Sequence, residues 1–172
     1  MSAASSTVQP MDDDTPAPWT TDELAKALGW EPKAFADVFG GAWRRYEAAP
    51  VFHDYDADPS GGGGLSGGSW HVLGTTPQLM MRVSPWQGVF LGRPEGSWVH
   101  GTHGLEYRAV DENYLSDDRL ETEAAAVVKR LLAARRRTFR YCRYCAEQVP
   151  PELRVEADVC MGCATAWLGV VY

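Results

Sequence analysis

The sequence predicts an α+β fold: helices at the N-terminal side, a small antiparallel β-sheet, one long helix, and a small module at the C-terminal end. Three observations carry this. Apolar residues recur at helical spacing in residues 19–48 and 116–138. Between Trp70 and Val110 the pattern changes to short apolar runs broken by turn residues. All four cysteines lie in two C-x-x-C pairs, Cys142/Cys145 and Cys160/Cys163, within residues 139–172.

At 172 residues there is room for one ordinary domain, or a smaller one with an appended module. Residues 1–18 are Ser, Ala, Pro and Asp rich and read as a disordered tail. They show no apolar core of a signal peptide. No apolar run long enough to span a membrane occurs.

The first helix opens at Thr20, which can cap it with Glu23 three residues on. Leu24, Ala25 and Leu28 form its apolar stripe and Gly29 ends it. A second helix starts at Pro32, a good first helical position, and carries Phe35, Val38 and Phe39. A third helical stretch is expected over Ala42 to Ala48. Residues 49–69 are a loop holding His53, Asp54, Asp56, Asp58 and six glycines between Gly61 and Gly68.

In the β-region, 70–115, strands are expected over 79–83, 88–91, 97–100 and 105–110. Turns are expected at Gly92–Gly96 and Gly101–Gly104. Ser116 then caps a helix over about 117–137. Its apolar positions are Leu120, Ala124, Val127 or Val128, and Leu131. Asp117 and Asp118 start it and Arg135 to Arg137 finish it, so both ends complement the macrodipole.

Fourteen residues separate the cysteine pairs. Each pair offers two thiolates from one tight turn, and the spacer lets the turns face each other across one ion. Residues 139–172 thus resemble a zinc ribbon or the related treble-clef zinc finger. The helical look of Ala164 to Leu168 favours the treble clef, where the last ligand pair opens a helix. The resemblance implies one structural Zn²⁺ on Cys142, Cys145, Cys160 and Cys163. Iron, alone or in a cluster, is the less fitting alternative. Such knuckles commonly place Gly after the second cysteine; here stand Ala146 and Ala164. A closed four-cysteine site leaves no open position for substrate, so its role is scaffolding.

The net charge of −7 argues against nucleic-acid binding by the whole surface. Yet residues 129–143 hold seven basic side chains and no acid. Arg135, Arg136, Arg137, Arg140 and Arg143, with Tyr144, form the candidate surface for a nucleic-acid or protein partner. A solvated helix end paired with the chain's own acidic N-terminal region is the plainer reading.

Other motifs fail on their own terms. Residues 21–39 have helix-turn-helix spacing, but the second helix offers Glu31, Lys33 and Asp37, a poor match to phosphate. Asp54-x-Asp56-x-Asp58 begins like a calcium loop, but Pro59 and Leu65 stand where Gly and Glu are required. The Gly61–Gly68 run lacks the Lys-Ser or Lys-Thr of a P-loop. A His-Asn-His nuclease finger needs a histidine that residues 139–172 do not contain. His71, His100 and His103 are the only grouping that suggests an enzyme; otherwise they are strand and turn residues. The reading is therefore a non-enzymatic, cytoplasmic, zinc-binding regulatory or adaptor protein. High Ala, Gly, Trp and Arg with little Lys suggest a GC-rich bacterial or phage source.

Overall fold

A computed structural model describes residues 21–46, 69–84, 88–99 and 104–169. The fold is α+β, as the sequence predicts. Two short helices, α1 (Thr21–Ala27) and α2 (Pro32–Phe39), lead into a five-stranded antiparallel sheet. Its strands run in sequence order: β1 (Trp43–Arg45), β2 (Trp70–Leu73), β3 (Met80–Ser84), β4 (Gly88–Val99) and β5 (Gly104–Leu115). The long helix α3 (Asp117–Arg137) follows.

One face of the sheet meets the helices. Met81, Val83, Val89, Leu91 and Leu115 point to that side and pack with Leu24, Ala25, Phe35 and Phe39. From α3 come Leu120, Ala124, Val128 and Leu131. Register makes this possible: Met81 pairs with Leu91, and Val83 and Leu115 both pair with Val89, so period-2 alternation keeps them on one face. Phe39 stacks at 4.8 Å on Phe35 and at 5.6 Å on Trp30.

Two local expectations are corrected. The stretch expected as a third helix contains β1 instead, paired with β2 through Trp43↔Leu73 and Arg45↔His71. Trp43 is buried while Arg44 and Arg45 are exposed, and the partner strand decides the conformation. Residues 47–68, with His53 and the Asp/Gly-rich loop, lie outside the described residues.

The second correction concerns Gly92–Gly96. It is no turn: β4 runs straight through it, with a register shift between Leu91 and Arg93. A Cβ on Gly92 would come within 2.7 Å of the Ala109 Cβ. That glycine therefore serves a close approach rather than a reversal. Pro94 is tolerated because β3 pairs with β4 only as far as Gly92, so beyond it one side of β4 has no ladder partner among the described residues. Residues 100–103, expected as a turn, lie outside the described residues.

The sheet is curled. Tyr107 of β5 meets Tyr46, just beyond β1, although these strands form opposite edges. The rings sit edge to face at 6.2 Å, and the Tyr107 N–H donates to the Tyr46 hydroxyl at 2.7 Å. Val72 and Met80, on the face away from the helices, are sealed at 0% and 1% exposure.

Candidate metal centre

After α3 the chain builds two small hairpins and a helix. β6 (Arg140–Tyr141) pairs with β7 (Gln148–Val149), and β8 (Arg154–Glu156) with β9 (Val159–Cys160). A 3-10 turn, Pro151–Leu153, joins them, and α4 (Met161–Leu168) ends the module. Cys142 and Cys145 lie in the turn between β6 and β7. Cys160 caps α4 and Cys163 is in its first turn.

The backbone aims N–H groups at sulfur. The Cys163 N–H donates to the Cys160 Sγ at 3.3 Å, and the Cys160 N–H to the Cys142 Sγ at 3.4 Å. The four sulfurs lie within 4.8 Å of one another, with Cys145 and Cys160 at 3.9 Å. Four ligands at ~2.3 Å around a tetrahedral ion are separated by about 3.8 Å. A disulfide would need about 2.05 Å, and all four cysteines are free thiols. The donor set and spacing fit one tetrahedral metal ion.

Charge argues the same way. The Cys160 N–H, followed by that of Cys145, brings the Cys142 thiol down to about 6. Burial, then the neighbouring thiols, pushes Cys163 up to about 12. Four thiolates cannot share this volume without a cation to offset their repulsion. Four protein ligands would leave a tetrahedral ion no open position, so such a site would serve structure rather than activate water.

The candidate partner surface divides. Arg136, Arg137, Arg140, Arg143 and Tyr144 are exposed. Arg143 lies over the Tyr144 ring at 5.2 Å and 3.7 Å from both Glu156 and Asp158. Arg135 does not belong to this surface, and that expectation is corrected. Only 1% exposed, it forms a buried ion pair with Glu152, donates to the Pro77 carbonyl at 3.0 Å and lies over Phe139 at 5.0 Å. The signal was present: Leu120, Ala124, Val128, Leu131 and Arg135 follow one helical stripe, so Arg135 faces inward by period.

Glu152 is the residue sequence reasoning missed. Its side chain is 1% exposed. Its backbone carbonyl accepts the Trp98 indole N–H at 2.8 Å. Tyr107 shares a side-chain hydrogen bond with it, and burial, then the Glu152 charge, pushes the Tyr107 hydroxyl up to about 12. A Cβ on Gly96 would come within 2.6 Å of the Glu152 Cγ. An acid between two cysteine pairs carries no sequence signal for such burial.

His71 is 3% exposed in β2, and burial, then Arg45, lowers its pKa. It faces no open surface, and His100 and His103 lie outside the described residues. No helix among the described residues is long and apolar enough to cross a membrane. No protein-family model, curated protein or solved structure matches this chain.

Proposed function

We propose that this chain is a non-enzymatic, zinc-binding adaptor or regulatory protein of the cytoplasm. Its metal module and the exposed arginines beside it meet a nucleic-acid or protein partner. The observation that carries the metal part is the cluster of four sulfurs within 4.8 Å. An all-thiolate tetrahedral set suits Zn²⁺ better than magnesium, calcium or copper(II). The order of knuckle, hairpin and helix, with the last cysteine pair opening α4, supports a treble-clef arrangement. Four free thiols suit a reducing compartment.

The partner part rests on Arg136, Arg137, Arg140 and Arg143 beside the exposed Tyr141 and Tyr144. Guanidinium groups with aromatic rings suit phosphate contact and base stacking. The same module also exposes Trp167, Leu168 and Val155, which suits an apolar protein surface.

Two measurements test the proposal. Elemental analysis of protein purified without added metal should find one zinc per chain. Oligonucleotide titration at low and physiological salt should show binding that weakens steeply with salt, because bound arginines release counterions. Changing Arg136, Arg137 and Arg140 together to Glu should abolish that binding. Metal content near zero under reducing conditions removes the zinc reading. Oligonucleotide binding that is absent, or indifferent to salt and to the triple change, leaves a protein as the partner.

A further inference from the structure

We propose that the cysteine module is a metal-dependent latch on the outer half of the β4–β5 hairpin, with Glu152 as the group that engages it. The proposal rests on the metal reading above and adds a conformational role to it.

The hairpin has an inner and an outer half. Its inner half pairs with β3 as far as Gly92 and packs under α3 through Val89, Leu91 and Leu115. Beyond the register shift, residues 93–99 pair, among the described residues, only with 104–110. A two-stranded ribbon alone is marginally stable in water. Among the described residues, contacts from outside the hairpin brace this one. Tyr107 meets Tyr46, and Glu152 touches the ribbon through Gly96, Trp98 and Tyr107. The missing side chain at Gly96 is what lets the 3-10 turn lie against β4.

Glu152 reaches this place from the metal module. It lies seven residues after Cys145 and eight before Cys160, on the segment joining the two ligand pairs. The module's buried cluster is small: Cys142, Val149, Val159, Cys163 and Ala164. Two of those five are ligands, so without an ion little keeps the pairs, and the turn between them, in place. Loss of metal then withdraws Glu152 from Arg135 and from the ribbon together. The metal-bound state is the one that holds the ribbon against the body. Linkage makes the effect reciprocal: whatever displaces Glu152 from the ribbon must weaken metal binding by the same factor.

Hydrogen exchange followed by mass spectrometry tests this on the full chain. EDTA removes the metal under reducing conditions, and Zn²⁺ is then restored. On removal, residues 93–99 and 104–110 and the end of α3 should lose protection, while α1, α2 and β3 keep theirs. Zn²⁺ should restore it. A ribbon that stays protected while residues 140–168 exchange overturns the latch. So does parallel loss over the whole chain, which would make the metal a general folding requirement.

Gly96→Ala supplies the reciprocal test, because its Cβ would fall within 2.6–2.8 Å of the Glu152 Cγ and Cβ. Competition with a chromophoric chelator should show zinc bound about 5-fold or more weakly, at the low end of typical couplings. Exchange of α1 and α2 reports whether the variant remains folded. Unchanged zinc affinity in the folded variant overturns the latch while leaving the metal site standing. Absence of any zinc binding by the native chain overturns the metal reading instead.

Discussion

The body and the cysteine module are stabilised in different ways. Among the described residues the body buries fifteen apolar residues in one cluster between sheet and helices, whereas the module's cluster has five, two of them candidate metal ligands. The module also leaves Trp167 73% and Tyr141 64% exposed. Burial at about 25 cal/mol per Å² can hold the body. A module of this size needs a metal or a disulfide, and its thiols are free. The two regions are nevertheless joined by a buried ion pair, Arg135–Glu152, with one partner on each side. A buried charge left alone is far more costly than the intact pair is stabilising. The boundary is therefore where each region depends most on the other.

Arg135→Met should expose that dependence with the largest effect. It leaves the Glu152 carboxylate buried with its cation gone, at a cost of about 3–5 kcal/mol. Denaturant unfolding should register the loss, and zinc affinity should fall with it. A second change, Glu152→Met, should recover much of the stability, since apolar replacement of both partners is often neutral. If Arg135→Met costs no more than a surface substitution, the two regions are independent and the comparison fails.

The two regions were also unequally legible in sequence. The cysteine site was readable because its ligands come from two short local turns, and α3 because twenty-one residues repeat one period. Arg135 was misassigned because charge was given precedence over its place on the apolar stripe. Gly92–Gly96 looks like a turn to any local rule; only the approach of Ala109 and Glu152 shows why those glycines sit in a strand. Trp43–Arg45 is too short to show alternation, and its partners in β2 stand 26 to 30 residues further along the chain. Nothing near Glu152 announces its partners, which are 17 to 56 residues away in the chain. Local chemistry was visible; contacts made by the tertiary fold were not.

Acid should separate the regions by pH. Free of metal, Cys142 ionises above about 6, while Cys145 and Cys163 hold their protons more tightly than an ordinary thiol. Binding must displace those protons, so metal affinity rises with pH through neutrality and falls as acid approaches 6. The sign for Cys142 agrees. Its folded value lies below its unfolded one, so its contribution is complete above about 9 and fades as pH falls through about 6. Zinc release followed against pH should precede loss of the far-ultraviolet signal of the body. Simultaneous loss of both would mean that the body has no stability apart from the module.

The smallest effect lies inside the module, at the two alanines that follow a C-x-x-C pair. Sequence treats Ala146 and Ala164 alike, since glycine is common at both places, but their backbones differ. Ala146 has φ 57°, in the left-handed region, with its N–H donating to the Cys142 carbonyl at 2.9 Å. That conformation costs an L-residue roughly 1–2 kcal/mol, against which glycine loses about 0.5–1 kcal/mol of extra chain entropy. Ala146→Gly should therefore stabilise the module by about 0.5–1 kcal/mol, or about 2- to 5-fold in zinc affinity. Ala164 lies within α4 and is 0% exposed. There glycine relieves no strain, removes a buried methyl and weakens a helix, for a loss of about 1 kcal/mol or more. The two variants, titrated against the same chelator, should move in opposite directions from the native chain. A shift of the same sign in both would show that position after a cysteine pair, and not backbone conformation, sets what glycine is worth.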